Sequence, residues 1–340
     1  MKKLTVLMTV YNGSPFLREA IDSILNQTYR GFKFLIIDNA STDNSREIVK
    51  SYTDSRIELV ELPQNIGQVA ALNKGLNRIN TPLVARMDAD DISLPERFEK
   101  QVAFMDLYPN VVACGSDVAV FHNTNHKKDS VWKYPLHSAD IKVKMLFECC
   151  LPHPALMIRK DLLDEYDLRY DETLGHSEDW DLFQRAGKYF ELANIPEILF
   201  RYRIHDRSVT RQTFDLQHAA AEKIDDISLD WLRLKNHPLR RVHRDLGYET
   251  LNINNREPRF IDDVIEWFDA LAEANRRHRN YDGEALSRFL EERLFLVLTK
   301  NAMHGTKPLR IFLKEKLYRC VPVLWSIKFM IKILFSIKEK

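Results

Sequence analysis

Leu83-Val84-Ala85-Arg86-Met87-Asp88-Ala89-Asp90-Asp91 is a short apolar run that ends in three acids within four residues. A run of this length with branched and apolar residues reads as a buried strand. The acids then fall where the strand gives way to a loop. Working outward, the preceding eighty residues repeat one unit. Leu4–Val10 reads as a first strand, and Leu17, Ala20, Ile21, Ile24 and Leu25 follow at helical spacing behind Ser14 and Pro15. Phe32–Ile37 reads as a second strand, followed by a helix with Ile48, Val49 and Tyr52 that Thr42 or Ser45 can cap. Ile57–Leu62 reads as a third strand, followed by a helix with Val69, Leu72, Leu76 and Ile79. After the acids, Pro95 opens another helix and Val111–Cys114 reads as a further strand. Strands alternating with helices imply a parallel sheet, in which ligands sit outside the carboxyl ends of the strands. The residues to watch are therefore Tyr11-Asn12-Gly13, Asp38-Asn39-Ala40-Ser41, Gln64-Asn65-Ile66-Gly67 and Asp88-Ala89-Asp90-Asp91.

The whole chain has 340 residues, 45% hydrophobic and 29% charged, which excludes a disordered, collagen-like or disulfide-stapled protein. Fifty basic residues face 49 acidic ones, so net charge gives no reason to expect nucleic acid as a partner. Cys114, Cys149, Cys150 and Cys320 form no Cys-x-x-Cys pair, which predicts reduced thiols and no zinc site. Met1-Lys2-Lys3 before Leu4–Val10 imitates a secretion signal, but the apolar run is short and no small-residue cleavage site follows. No uncharged stretch is long enough to span a bilayer.

Asp88 and Asp90 are placed to converge on one hard cation, Mn2+ or Mg2+, whose shell is completed by water and phosphate oxygens. Neither a Gly-x-Gly-x-x-Gly nor a Walker sequence is present, so a diphosphate must be held by a metal and nearby cations, Arg86 among them. Asp38 reads either as a turn aspartate or as an acceptor for a nucleobase N–H, with Tyr11 near the base or ribose. The second acidic centre is Glu178-Asp179-Trp180-Asp181, behind the turn Gly175-His176-Ser177. Acids also suit the first turn of a helix for dipole reasons alone. His153-Pro154 reads locally as an extended residue before proline.

Together, over residues 4–210, these motifs resemble the family 2 glycosyltransferases of the GT-A fold. The resemblance rests on Thr9-Val10-Tyr11-Asn12, Asp38-Asn39-Ala40-Ser41-Thr42-Asp43, Asn65-Ile66-Gly67 with Ala71, Asn73 and Gly75, Asp88-Ala89-Asp90, His153-Pro154-Ala155, Glu178-Asp179 and Tyr202-Arg203-Ile204-His205, in that order. The family often carries Pro where Thr9 stands and Asp where Asn39 stands. The resemblance implies an α/β GT-A domain over residues 1–213, with a mostly parallel central sheet flanked by helices, and a helical C-terminal region over 214–340. It implies an inverting, metal-dependent transferase acting on a nucleotide diphosphate sugar, by default a UDP-sugar, with a glycan or lipid-linked oligosaccharide as acceptor in cell-surface polysaccharide synthesis. Asp179 would be the catalytic base. Thr9, Tyr11, Asn12, Asp38, Asn65, Gly67, Arg86, Asp88, Asp90 and Glu178 would bind the nucleotide sugar. Asp88, Asp90 and His205 would hold the metal, and His153 would lie near the acceptor. A sugar nucleotidyltransferase and an inactive sugar-nucleotide binding module are the rival readings. The former needs a glycine-rich loop with a basic residue after the first strand, and Tyr11-Asn12-Gly13-Ser14 does not supply one.

Beyond Phe214 long helical periodicity takes over, in helices that either cover the acceptor or form an oligomer contact. From Lys307 to the last residue, nine basic side chains face two acidic ones, a local net charge of +7. With Trp325, Phe329, Met330, Ile333 and Phe335, residues 307–340 read as a basic amphipathic anchor on the inner face of the cytoplasmic membrane, or else as a terminal helix docked on the protein with its lysine stems folded over it. The expected location is cytoplasmic and peripheral to that membrane.

Overall fold

The computed structural model describes residues 2–122, 129–175, 177–206, 214–247, 259–301, 307–315, 317 and 328–330. The repeated unit folds as its pattern dictates. Strands β1 (Leu4–Val10), β2 (Phe32–Asp38), β3 (Ile57–Glu61) and β4 (Leu83–Asp88) lie parallel in the order β3-β2-β1-β4. Leu4, Val6, Met8 and Val10 point to one face of β1 and join a single core with Leu17, Ala20, Ile21 and Ile24 of helix α1 (Leu17–Leu25). Full burial of each such side chain is worth about 1.5–3 kcal/mol. Leu7 points the other way, against Gly75 of α3 (Gln68–Arg78), where any Cβ would strike its methyl groups. The helix α2 (Ser45–Lys50) connects β2 to β3. Leu4–Val10 is thus a buried strand, as composition argued over a signal sequence.

The helix starts differ from the sequence expectation. Residues 14–16 form a turn closed on the Gly13 carbonyl, and the helix begins at Leu17. Before α2, Asp43 Oδ1 accepts from the Ser45 amide at 3.0 Å, while Thr42 bonds to Asn12. In both places a β–α loop is tied to its neighbouring loop, so the side chains that could cap a helix bind across instead.

Past β4 the sheet turns mixed. The strand β5 (Ile92–Ser93) follows the acids at once, and α4 (Arg97–Leu107) leads to β6 (Val111–His122). Then come β7 (Ser130–Trp132), α5 (Ser138–Lys144), a 3₁₀ turn at His153–Ala155, β8 (Met157–Arg159), α6 (Lys160–Glu165), α7 (Glu178–Gly187) and β9 (Glu191–Ile204). Strand β8 lies antiparallel between β4 and β6; β9 runs parallel to β6 and antiparallel to β5. Opposite Ser116–Val118 the register shifts, with Pro196, Glu197 and Leu199 as extra residues that bulge β9. The sheet order is β3-β2-β1-β4-β8-β6-β9-β5, with β7 on β6.

By contacts the chain divides into one unit of residues 1–141 and 149–221 and a second of 142–148 and 222–340. The division falls inside α8 (Phe214–Trp231). The second unit continues with α9 (Arg240–Gly247), α10 (Phe260–His278), α11 (Gly283–Lys300) and α12 (Lys307–Lys314). Its core includes the fully buried His243, which bonds the Leu146 carbonyl through Nε2 at 2.8 Å and accepts from Trp267 Nε1 at 3.3 Å. Among the described residues no helix is long and apolar enough to cross a membrane. Most of the basic amphipathic segment, including Trp325, Ile333 and Phe335, lies outside the described residues, as does His176.

Candidate active site

The ends of β1, β2 and β4 meet at one edge because the strands are parallel: Val10 pairs with Asp38 and Thr9 with Asp88. The connection leaves β1 toward β2 and β3, then returns to β4 on the other side, which makes this edge a switch point where α/β sheets bind ligands. Ala85 and Met87 face the α1 core, so strand alternation sends Arg86 and Asp88 to the opposite face, that of Leu7 and Thr9.

On the β2 side, Asp38 is fully buried. Its Oδ2 pairs with Arg46 Nε at 2.6 Å and accepts from the Ser41 amide at 3.2 Å. Arg46, which carried no sequence signal, is thus the main partner of the residue assigned to a nucleobase. Asn12 sits at φ +54° and its Oδ1 accepts from the Thr42 amide at 2.8 Å, clamping two loops. Asn39 fills its own position as a structural amide: Nδ2 donates to Asn65 Oδ1 at 2.9 Å and Oδ1 accepts from the Ile66 amide at 3.0 Å. An aspartate there could not donate, which accounts physically for asparagine at that position. Gly67 starts α3 at φ +83°, a conformation reserved for glycine, with open space where a Cβ would stand. Thr9 is half-buried and Tyr11 half-exposed at the same edge.

At the β4 end, Asp88, Asp90 and Asp91 bring carboxylate oxygens within 4.8 Å of one another. Asp88 pairs with the Arg86 guanidinium. Asp90 Oδ2 bonds His205 Nε2 at 2.9 Å. Asp91 is buried; its Oδ1 accepts from the Arg203 amide at 2.8 Å, and its Oδ2 has no hydrogen-bond partner among the described residues. Burial and the neighbouring Asp90 and Asp88 push Asp91 well above the usual carboxylate range, and burial raises Asp88 despite Arg86. Crowded carboxylates with an orphaned oxygen fit a divalent cation, which would relieve both repulsion and the missing bond. Asp91 is not among the ligands expected from the sequence, and the turn at 89–90 brings it into the cluster. His205, read as a metal ligand, adjoins the cluster through Asp90.

The second acidic centre opens α7. Ser177 precedes it at φ +65°. Asp181 belongs to the scaffold, paired with Arg185, whose Nη2 also donates to the Arg169 carbonyl at 2.7 Å. Glu178 and Asp179 remain. Asp179 Oδ1 accepts from the Trp180 amide at 2.8 Å, and the Cys149 thiol lies 3.7 Å from Oδ2. Burial raises Asp179 above the usual carboxylate range. Burial, then the charge of Asp179, pushes Glu178 up to about 8. Glu178 Oε1 stands 4.0 Å from His153 Nδ1, and His153 Nε2 bonds the Tyr170 hydroxyl at 2.8 Å. Asn73 holds the Tyr170 backbone, donating to its carbonyl at 2.9 Å and accepting from its amide at 3.1 Å. Burial, then Arg86, keeps His153 well below the usual histidine range, so it is neutral.

Arg86 links the two centres. Its charge acts on Asp88, Glu178, Asp179 and Tyr170, and Glu178 in turn senses Asp88. A supporting layer fixes the strand that carries it. Buried Arg97, lowered to about 9 by burial, donates Nη2 to the Arg86 carbonyl at 2.8 Å and to the Leu156 carbonyl at 3.1 Å. Gln101 ties the Cys114 and Ala155 carbonyls at 2.9 Å each. Phe16 packs on His205 with ring centroids 4.7 Å apart and lies under the Arg203 guanidinium. Neither Tyr170, Cys149, Arg97 nor Gln101 carries any pattern in the sequence; their roles come from residues far along the chain.

The chain has known relatives. Residues 5–167 match the model of glycosyl transferase family 2. The O-antigen biosynthesis glycosyltransferase WbnJ of Escherichia coli is 34% identical over 229 residues, 64% of this chain and 86% of that protein. The amylovoran biosynthesis glycosyltransferase AmsE of Erwinia amylovora is 31% identical over 213 residues, 61% of this chain and 79% of that one. The crystal structure of S. aureus TarS 1-349 in complex with UDP-GlcNAc superimposes with a TM-score of 0.55 at 16% identity, covering 92% of each chain, which shows a shared fold. The parallel block at the switch point, the acids at its edge and these relatives establish that the chain belongs to glycosyltransferase family 2 and is a glycosyltransferase of the GT-A fold.

Proposed function

We propose that the chain transfers a sugar from a nucleotide diphosphate sugar, by default a UDP-sugar, to a hydroxyl of a glycan or lipid-linked oligosaccharide, with inversion, in the synthesis of a cell-surface polysaccharide. The observation that carries this reading is buried Arg86, which pairs with Asp88 of one acidic centre and lies close enough to Glu178 and Asp179 of the other for its charge to act on both. The relatives named for O-antigen and amylovoran synthesis, and the UDP-GlcNAc bound to TarS, support the substrate classes.

Asp88 and Asp90, joined by Asp91, would hold Mn2+ or Mg2+, which when bound neutralises charge on the departing diphosphate. Asp179 takes the proton of the attacking hydroxyl. Its two oxygens are fixed by the Trp180 amide and the Cys149 thiol, and its burial makes it a stronger base than a surface aspartate. Such orientation removes part of the entropic barrier, an effect of about 7–11 kcal/mol in well-aligned reactions. Glu178, protonated at neutral pH, donates its O–H to a hydroxyl of the donor sugar. Tyr11 and the Asp38–Arg46 pair border the base and ribose, and Asn65 and Gly67 shape the loop beside them. His205 steadies Asp90. His153 holds the wall on the acceptor side.

Residues 307–340, with their net charge of +7, hold the protein on the inner face of the cytoplasmic membrane, where a lipid-linked acceptor would lie. Cosedimentation with anionic vesicles tests this: truncation before Lys307 abolishes binding, and full retention by the truncated protein refutes the anchor.

The enzymatic test is release of nucleoside diphosphate from a panel of nucleotide sugars, with an acceptor and with Mn2+ or a chelator. Release that requires Mn2+ and disappears in Asp179→Asn is expected. No release from any donor would favour a binding module, and release of pyrophosphate from a nucleoside triphosphate supplied with a sugar 1-phosphate would favour a nucleotidyltransferase.

A further inference from the structure

Arg86 is 1% exposed, and among the described residues its charge is met by one ion pair, to Asp88. Its Nε and Nη2 have no hydrogen-bond partner among the described residues. The groups around it are Asp88, Glu178, Asp179, the Tyr170 phenol and the neutral His153. A guanidinium has five N–H donors and cannot shed its proton, so unbonded donors at full burial are costly unless something else supplies oxygens. Asp88 is also one of the three carboxylates whose spacing fits a divalent cation. One carboxylate cannot serve Arg86 and a cation equally well.

We infer, on the reading just given for this site, that Arg86 is a resident counter-ion of Asp88 that a divalent cation displaces, and that the freed guanidinium is taken up by diphosphate oxygens of the donor. A cation alone would leave Arg86 buried without its ion-pair partner, and a broken buried pair is unfavourable. The planar fork matches phosphate oxygens in bidentate fashion, so the donor restores what the cation removes. Cation and donor therefore bind better together than apart, and by linkage each raises the affinity of the other equally. Asp90 differs, since its partner His205 is one imidazole nitrogen rather than a fixed charge with spare donors.

The test is titration of the full chain with Mn2+, alone and with saturating UDP or GDP, following free Mn2+ by electron paramagnetic resonance. Arg86→Gln is expected to bind Mn2+ alone at least about fivefold more tightly than the wild type, and to lose at least about fivefold of the tightening that the nucleotide confers. Arg86→Lys keeps the competing charge and should stay within about twofold of the wild type for Mn2+ alone. Equal or weaker Mn2+ binding by a folded Arg86→Gln overturns the inference, as does an Arg86→Lys that binds Mn2+ as tightly as Arg86→Gln. Should Arg86→Gln not fold, a crystal structure of the wild type with Mn2+ and UDP decides. Arg86 bonded to phosphate supports the exchange, and Arg86 still paired with Asp88 refutes it. A wild type that binds no Mn2+ with or without nucleotide would instead remove the metal-dependent reading of the site.

Discussion

Two groups of acids flank buried Arg86, and their surroundings differ in kind. Asp88, Asp90 and Asp91 are met by Arg86, His205 and the Arg203 backbone, so one oxygen of each faces a guanidinium, an imidazole or a backbone N–H. Glu178 and Asp179 are met by a neutral imidazole, a thiol and a helix amide, with burial as the largest influence on both. The same residue type is thereby given two tasks. Burial raises Asp88 and Asp91 as well, so the contrast lies in number and partners: three crowded carboxylates are suited to take up a metal. A pair beside neutral partners is suited to give and take protons.

The largest expected effect comes from erasing that difference at Asp179. Asp179→Asn keeps the shape and the Trp180 amide contact but removes the proton acceptor, and transfer should fall about 10²–10⁴-fold in a product assay. Near-normal transfer would reassign the base. Next is Asp91, which the cluster geometry adds to the expected ligands. Asp91→Asn should weaken Mn2+ binding about tenfold or more and reduce metal-stimulated nucleotide release in step. Unchanged Mn2+ affinity would return Asp91 to a purely structural place on the Arg203 amide.

The contrast also has a pH signature. Glu178 is protonated in the fold up to about 8 and ionises near 4.5 when unfolded. Its contribution to stability is therefore fully present below 4.5 and lost as pH rises through 8. Glu178→Gln should remove this loss, gaining at least about 1 kcal/mol on the wild type between pH 5 and pH 8 in metal-free denaturant titrations. A parallel pH dependence in both proteins would place the burial of Glu178 in doubt. The smallest effect is at the periphery of the same centre: Tyr170→Phe removes the hydroxyl bonded to His153 Nε2 and should cost about 1–3 kcal/mol, read as a lowered denaturant midpoint.

Much of this was legible in the residues. The strands β1 to β4 announce themselves as apolar runs bounded by turn residues, and the parallel pairing follows from the helices between them. The strand β9 does not. Asn194, Pro196, Glu197, Arg201 and Arg203 break any alternation, and the strand exists because β6 and β5 pair with it. The run Gly115-Ser116-Asp117 likewise hid the second half of β6, which pairs with β9 across a break in register. At the site, Asp88, Asp90, Glu178 and Asp179 stood out by position and by family resemblance. The groups that differentiate them did not: Cys149 reaches Asp179 across 30 residues, and Asn73 reaches Tyr170 across 97. Such contacts are made by tertiary packing, which leaves no period in a sequence. Asp38 shows the reverse case, where a residue read for its ligand carries an internal partner, the part-exposed Arg46.

The division of labour between the two centres is tested most directly by measuring UDP affinity in the presence of Mn2+ for Asp179→Asn and Asp90→Asn side by side. Asp179→Asn should bind within about twofold of the wild type while Asp90→Asn loses about tenfold or more. Equal losses in both variants, or a loss confined to Asp179→Asn, would contradict it.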